Sequence, residues 1–168
     1  CNALEQQARS AVSAETRLQS LATLDGLEML SSQILENALR DPHPHVRRHA
    51  IRLSERHLAE NPTIANTIVP LIHDPHPSVR LQAACTLGEF NHSTAARSLG
   101  ELLLRKDRDP YLTAAALSSV NRHNLSRVSQ TIFHSPANTM LSQDLIPPFI
   151  KMATAFELSL IHISEPTR

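Results

Sequence analysis

The chain has 168 residues, 41% of them hydrophobic, which is enough apolar material for one domain or a short array of repeats. Three glycines and 3% aromatics suit close helix packing better than a sheet, which favours β-branched and aromatic side chains. Lys+Arg and Asp+Glu are both 16, so net charge points to neither a nucleic-acid nor an acidic-membrane partner, and no apolar run approaches the roughly 20 residues of a membrane span.

In chain order, residues 1–13 are polar and Ala-rich and read as an incoming helix or linker. Leu18, Leu21 and Leu24 then fall at helical spacing over 14–24. Asp25-Gly26 should break that helix, with Gly26 suited to the position just past its end. A returning helix is expected over 27–39, with Leu27, Leu30, Ile34 and Ala38 on one face and Leu35 beside them. The turn Asp41-Pro42-His43-Pro44 leads into a helix over 45–59 that buries Val46, Ala50 and Leu53, with His57 a further candidate. Residues 63–73 return, kinked at Pro70. Asp74-Pro75-His76-Pro77 repeats the turn, and the helix over 78–87 buries Val79, Ala83 and Leu87, with Gly88 near its end. Residues 93–105 return with Ala96, Leu99, Leu102 and Leu103. A fourth pair covers 111–120 and 125–133, and an apolar segment over 141–156, carrying Pro147-Pro148, suggests a fifth unit.

Val46, Val79 and Leu112 stand at steps of 33 residues, and residues 16–24 fit the same frame with Thr16 30 residues before Val46. A period of this size signals a solenoid, in which each hairpin buries its apolar face only by stacking on its neighbours. The units are 14–39, 41–73, 74–106 and 107–134, with 135–157 opening a further one. Most prolines punctuate rather than interrupt; Pro44, at the first turn of its helix, loses nothing by its missing N–H. Asp41 precedes Arg47 by six residues and Asp74 precedes Arg80 by six. Each Asp can accept from backbone N–H groups at the new helix's start, and each Arg can reach the Asp of a neighbouring unit. Asp41, Arg47, Asp74, Arg80 and Asp109 are therefore the candidate ladder residues. Thr113 takes the Arg position in the fourth unit, so the ladder should weaken there. Asp74→Ala should cost about 1–2 kcal/mol, as loss of a cap and a ladder partner.

Two surface sites compete with a purely structural reading. Arg48, Arg52 and Arg56, at i, i+4 and i+8, form a basic stripe on one helix and the best candidate interaction surface, including for nucleic acid. The stripe is confined to one repeat and lacks aromatic stacking partners, so a solvated face is the plainer reading. His43, His45 and His49 present a second possibility, a metal on a shared helix face. A definite site needs three or four convergent ligands, and His43 and His76 are turn residues at equal places in two repeats. Cys85, beside an apolar helix face, reads as a small core or groove residue. No C-x-x-C, G-x-S-x-G or Gly-rich phosphate loop occurs, so no catalytic residue and no cofactor or metal ligand is assigned.

The Asp…Arg spacing within paired helices of this length resembles the HEAT repeat family over roughly residues 14–134. That implies an all-α, HEAT-like solenoid of about four hairpins plus part of a fifth, working as a non-catalytic scaffold or protein-interaction segment. More specifically, DPHPHVRRHAIRLSE, DPHPSVRLQAACTLGEF and DPYLTAAALSSV, in that order, resemble the helical region of planctomycete-type membrane-bound dehydrogenase and c-type cytochrome multidomain proteins. The resemblance implies a connector between a β-propeller and a haem c domain, both outside this segment, and an exported location. Its alternative is a free-standing HEAT protein binding nucleic acid or a protein partner on its concave face. Residues 158–168, LSLIHISEPTR, resemble a translated sequencing-library adapter. With Cys1 in place of an initiator Met, this suggests an internal fragment with a non-native tail.

Overall fold

The computed structural model describes residues 2–58, 61, 63–90, 92–107, 109–134 and 145–163, with side chains to 156. Ten α-helices carry the chain among these residues: α1 (Asn2–Ser10), α2 (Ala14–Gly26), α3 (Ser32–Ala38), α4 (Pro44–Ser54), α5 (Thr63–Ile68), α6 (Pro77–Gly88), α7 (Ser93–Leu104), α8 (Pro110–Ser118), α9 (Leu125–Phe133) and α10 (Ile146–Ile163). No strand occurs among them.

The helices stack in two layers. One runs α2, α4, α6, α8; the other runs α1, α3, α5, α7, α9, with the 3₁₀ turn Val69–His73 joining α5 to α7. The incoming segment is thus a helix of the second layer, packed on α2 and α3. The core is a continuous seam between the layers, where Leu21, Leu35, Ile51, Ile68, Leu87 and Leu99 are all fully buried. The seam follows the helical periodicity: Val46, Ala50 and Leu53 are buried from α4, and Val79, Ala83 and Leu87 from α6.

Local chemistry sets the helix starts. Pro44, Pro77 and Pro110 each occupy the first turn of their helices. Asp41 and Asp74 do not cap α4 and α6 themselves. The N-cap positions are His43 and His76, which make no side-chain cap bond. Asp41 Oδ1 accepts from the His43 N–H at 2.8 Å, and Asp74 Oδ1 from the His76 N–H at 2.9 Å. Each Asp therefore closes the turn two residues ahead of the N-cap, as Asp side chains do in Asx turns.

Two expectations need correction. Helix α2 continues through Gly26, and the left-handed residue past its end is Glu28, at φ 58°. The Glu28 N–H donates to Asp25 O and the Met29 N–H to Leu24 O, the paired bonds of a Schellman motif. That motif turns the chain before α3 starts, so Leu27 lies 55% exposed instead of on a buried face. Pro70 does more than kink its helix: α5 stops at Ile68 and the segment continues as the 3₁₀ turn, because Pro70 cannot donate the next α-helical bond. The expected segment 141–156 is described only from Leu145; α10 starts at Ile146, carries Pro147-Pro148 in its first turn, and anchors Phe149 in the core.

Candidate functional site

An arginine at the fourth residue of a first-layer helix reaches the aspartate that opens the next unit. Arg47 donates from Nε to Asp74 Oδ2 at 2.7 Å and from Nη2 to Asp74 Oδ1 at 2.9 Å. Its Nη1 donates backwards to Asp41 O at 2.7 Å and Pro42 O at 3.0 Å. One guanidinium thus ties the turn behind it to the turn ahead. Arg17 makes the same set one unit earlier, to Asp41 at 2.6 and 2.8 Å and to Ala11 O and Val12 O. Both pairs are buried, with the Asp side chains only 7% and 4% exposed. Bidentate geometry and spare backbone acceptors are what a buried ion pair needs to offset its desolvation. Burial works to raise the Asp41 and Asp74 carboxyls, but the Arg17 and Arg47 hydrogen bonds, the His43 and His76 N–H groups and the nearby charges override it. Both end below the ordinary carboxylate value.

Arg17 was not among the ladder candidates. Its signal is the repeat frame: Arg17 stands at the fourth residue of α2, as Arg47 does in α4. No D-P-H-P turn precedes it, and that hid it.

The third junction is built differently. Arg80 Nη1 keeps the backward bonds, to Asp74 O at 2.9 Å and Pro75 O at 3.0 Å. Its Nε, however, is buried without a hydrogen-bond partner among the described residues. Asp109, placed on the ladder by its D-P dipeptide, instead caps α8 and accepts the Leu112 N–H at 2.7 Å. The residue one period after Asp74 is Asp107, which is 62% exposed and held by Arg105 at 2.7 and 2.9 Å. In place of a charged rung, α8 and α9 press against glycines. A Cβ on Gly88 would lie 2.7 Å from Ser119 Cβ, and one on Gly100 would lie 2.7 Å from Thr131 Cβ. Asn121 Nδ2 adds a bond to Gly88 O at 3.1 Å. Each Arg pairs with the Asp that follows it, so the interruption falls one junction earlier than the Thr113 substitution suggested.

The basic stripe divides. Arg56 reaches Asp25 at 3.3 Å, while Arg48 and Arg52 are exposed and have no ion partner among the described residues. They line a groove of about 350 Å³ with Leu18 of α2, His45 and His49 of α4 and Gln82 of α6. The His43 and His45 rings meet edge-on at 5.1 Å, and His45 meets His76 the same way at 5.9 Å. Among the described residues no group of three or more His, Cys, Asp or Glu is placed to hold a metal. Burial, with Arg52 and Arg48, lowers the His49 pKa against the pull of Asp25. Of the core and groove positions expected for Cys85, exposure on α6 removes the core one; desolvation with the Glu55 carboxylate pushes its thiol up, away from a reactive thiolate.

A profile of HEAT repeats matches residues 31–121. The chain belongs to the HEAT repeat family. Its two-layer, all-helical stack is the solenoid that membership requires, and HEAT repeats serve as scaffolds and protein-interaction modules and are typically non-catalytic. No curated protein gives a significant match to the chain. No described helix is long and apolar enough to cross a membrane.

Proposed function

We propose that this segment is a non-catalytic HEAT scaffold that connects a dehydrogenase-like β-propeller to a c-type cytochrome domain in a larger exported protein. The observation that carries the scaffold role is the pair of buried bidentate rungs, Arg17–Asp41 and Arg47–Asp74, which join successive hairpins along an unbroken core. Such a stack fixes the rotation between units and forms a semi-rigid support. The connector role is supported by the wording of the repeats, above all VRLQAACTLGE at 79–89 and AAALSSV at 114–120. Any haem or dehydrogenase chemistry belongs to flanking domains, and this segment takes no cofactor of its own.

A long sequencing read through the source locus tests the connector. A propeller upstream and a C-x-x-C-H downstream are expected. A frame that closes soon on both sides would overturn the connector and leave a free-standing HEAT protein.

A further inference from the structure

We propose that the groove across α2, α4 and α6 is a docking site for an acidic peptide segment of a protein partner, gripped by Arg48 and Arg52. The proposal deepens the interaction-scaffold reading and rests on it. Within the groove, Arg48 and Arg52 lie one helical turn apart and are the two members of the stripe without an ion partner among the described residues. Arg56 is already committed to Asp25. Beside them His49 Nε2 is buried and has no hydrogen-bond partner among the described residues. Two guanidiniums one helical turn apart, with no ion partner among the described residues, are a charge-assisted donor set that a pair of carboxylates would complete.

The spacing favours peptide over nucleic acid. Side chains at i and i+4 of a helix stand about 5–6 Å apart. Carboxylates two residues apart on an extended strand stand about 6.6 Å apart and point the same way, so two acidic side chains of one strand can meet both arginines. Leu18 gives the groove an apolar wall for the intervening chain, and Gln82 offers a neutral amide to its backbone. A duplex would need phosphate contacts over a longer track, and here the basic residues stop at one repeat. On α6 the positions one period after Arg48 and Arg52 are Leu81 and Cys85, and neither carries a positive charge.

The test uses the whole chain and a fluorescein-labelled hexaglutamate peptide, read by anisotropy. Saturable binding is expected at low salt, weakening as NaCl rises from about 20 to about 300 mM. The double variant R48A/R52A should lose at least about tenfold in affinity, two charge-assisted bonds being removed. R97A, which removes an exposed arginine on α7 in the other layer, should bind as the parent chain does. Circular dichroism melts of each variant confirm that it is folded. Absent binding by the folded chain, or binding that R97A weakens as much as R48A/R52A, overturns the groove while leaving the scaffold role intact. A labelled duplex that binds through Arg48 and Arg52 when the peptide does not overturns it in favour of a phosphate ligand.

Discussion

The first two junctions of the solenoid and the third solve one problem by different physics. Between α2, α4 and α6 the units are tied by buried charges, each Arg spanning two turns. Between α6–α7 and α8–α9 they are held by backbone proximity, with Gly88 against Ser119 and Gly100 against Thr131. A charged rung depends on geometry and on ionisation; a glycine contact depends on volume alone. The two halves should therefore respond to different perturbations.

The largest separation is expected from Asp74→Ala. It leaves Arg47 charged and buried without its partner, which costs about 3–5 kcal/mol, more than the 1–2 kcal/mol expected of a lost cap. Urea unfolding of the chain would show it as a large fall in midpoint. Acid should act first on His49 in the groove and then on the same rungs. His49, with its pKa lowered, gives the unfolded chain the greater proton uptake below about pH 6.5. Stability should begin to fall there, and His49→Gln should remove that first phase. Asp41 and Asp74 also have lowered values, so their contribution is complete above the unfolded carboxylate pKa of about 3.9 and disappears as pH drops through the folded values. A second, steeper loss should follow below about pH 4, and midpoints measured across pH 3–8 would resolve both phases.

At the third junction Gly88→Ala is the sharper probe. The new methyl meets Ser119 Cβ at 2.7 Å and its Cα at 2.9 Å, so α8 must shift. A net loss of about 1–2 kcal/mol is expected after the gain in helix propensity, read by the same urea unfolding and insensitive to pH. Smallest of all is Asp107→Ala. Its carboxylate is exposed and pairs with Arg105 only two residues away, so the midpoint should not move measurably.

These contrasts also show what the sequence made legible. The 33-residue period, the helix starts at proline and the buried faces of α4 and α6 rest on local chemistry and helical spacing, and both could be read directly. Rung pairing could not, because it depends on which turn faces which arginine after folding. The D-P dipeptide drew attention to Asp109, whereas the period itself points to Asp107. Gly26 looked like the left-handed residue after α2, yet the Schellman bonds place that conformation at Glu28. Of the basic stripe, the spacing of Arg48, Arg52 and Arg56 was visible, but the Asp25 partner of Arg56 comes from the neighbouring unit and shows only in three dimensions.

The most direct measurement is a pair of double-mutant cycles in urea, one on Arg47 and Asp74, the other on Arg80 and Asp107. A coupling energy of about 2–3 kcal/mol is predicted for the first pair and none for the second. Equal coupling in both cycles, or none between Arg47 and Asp74, would contradict the account of a solenoid locked by charge at two junctions and by glycine packing at the third.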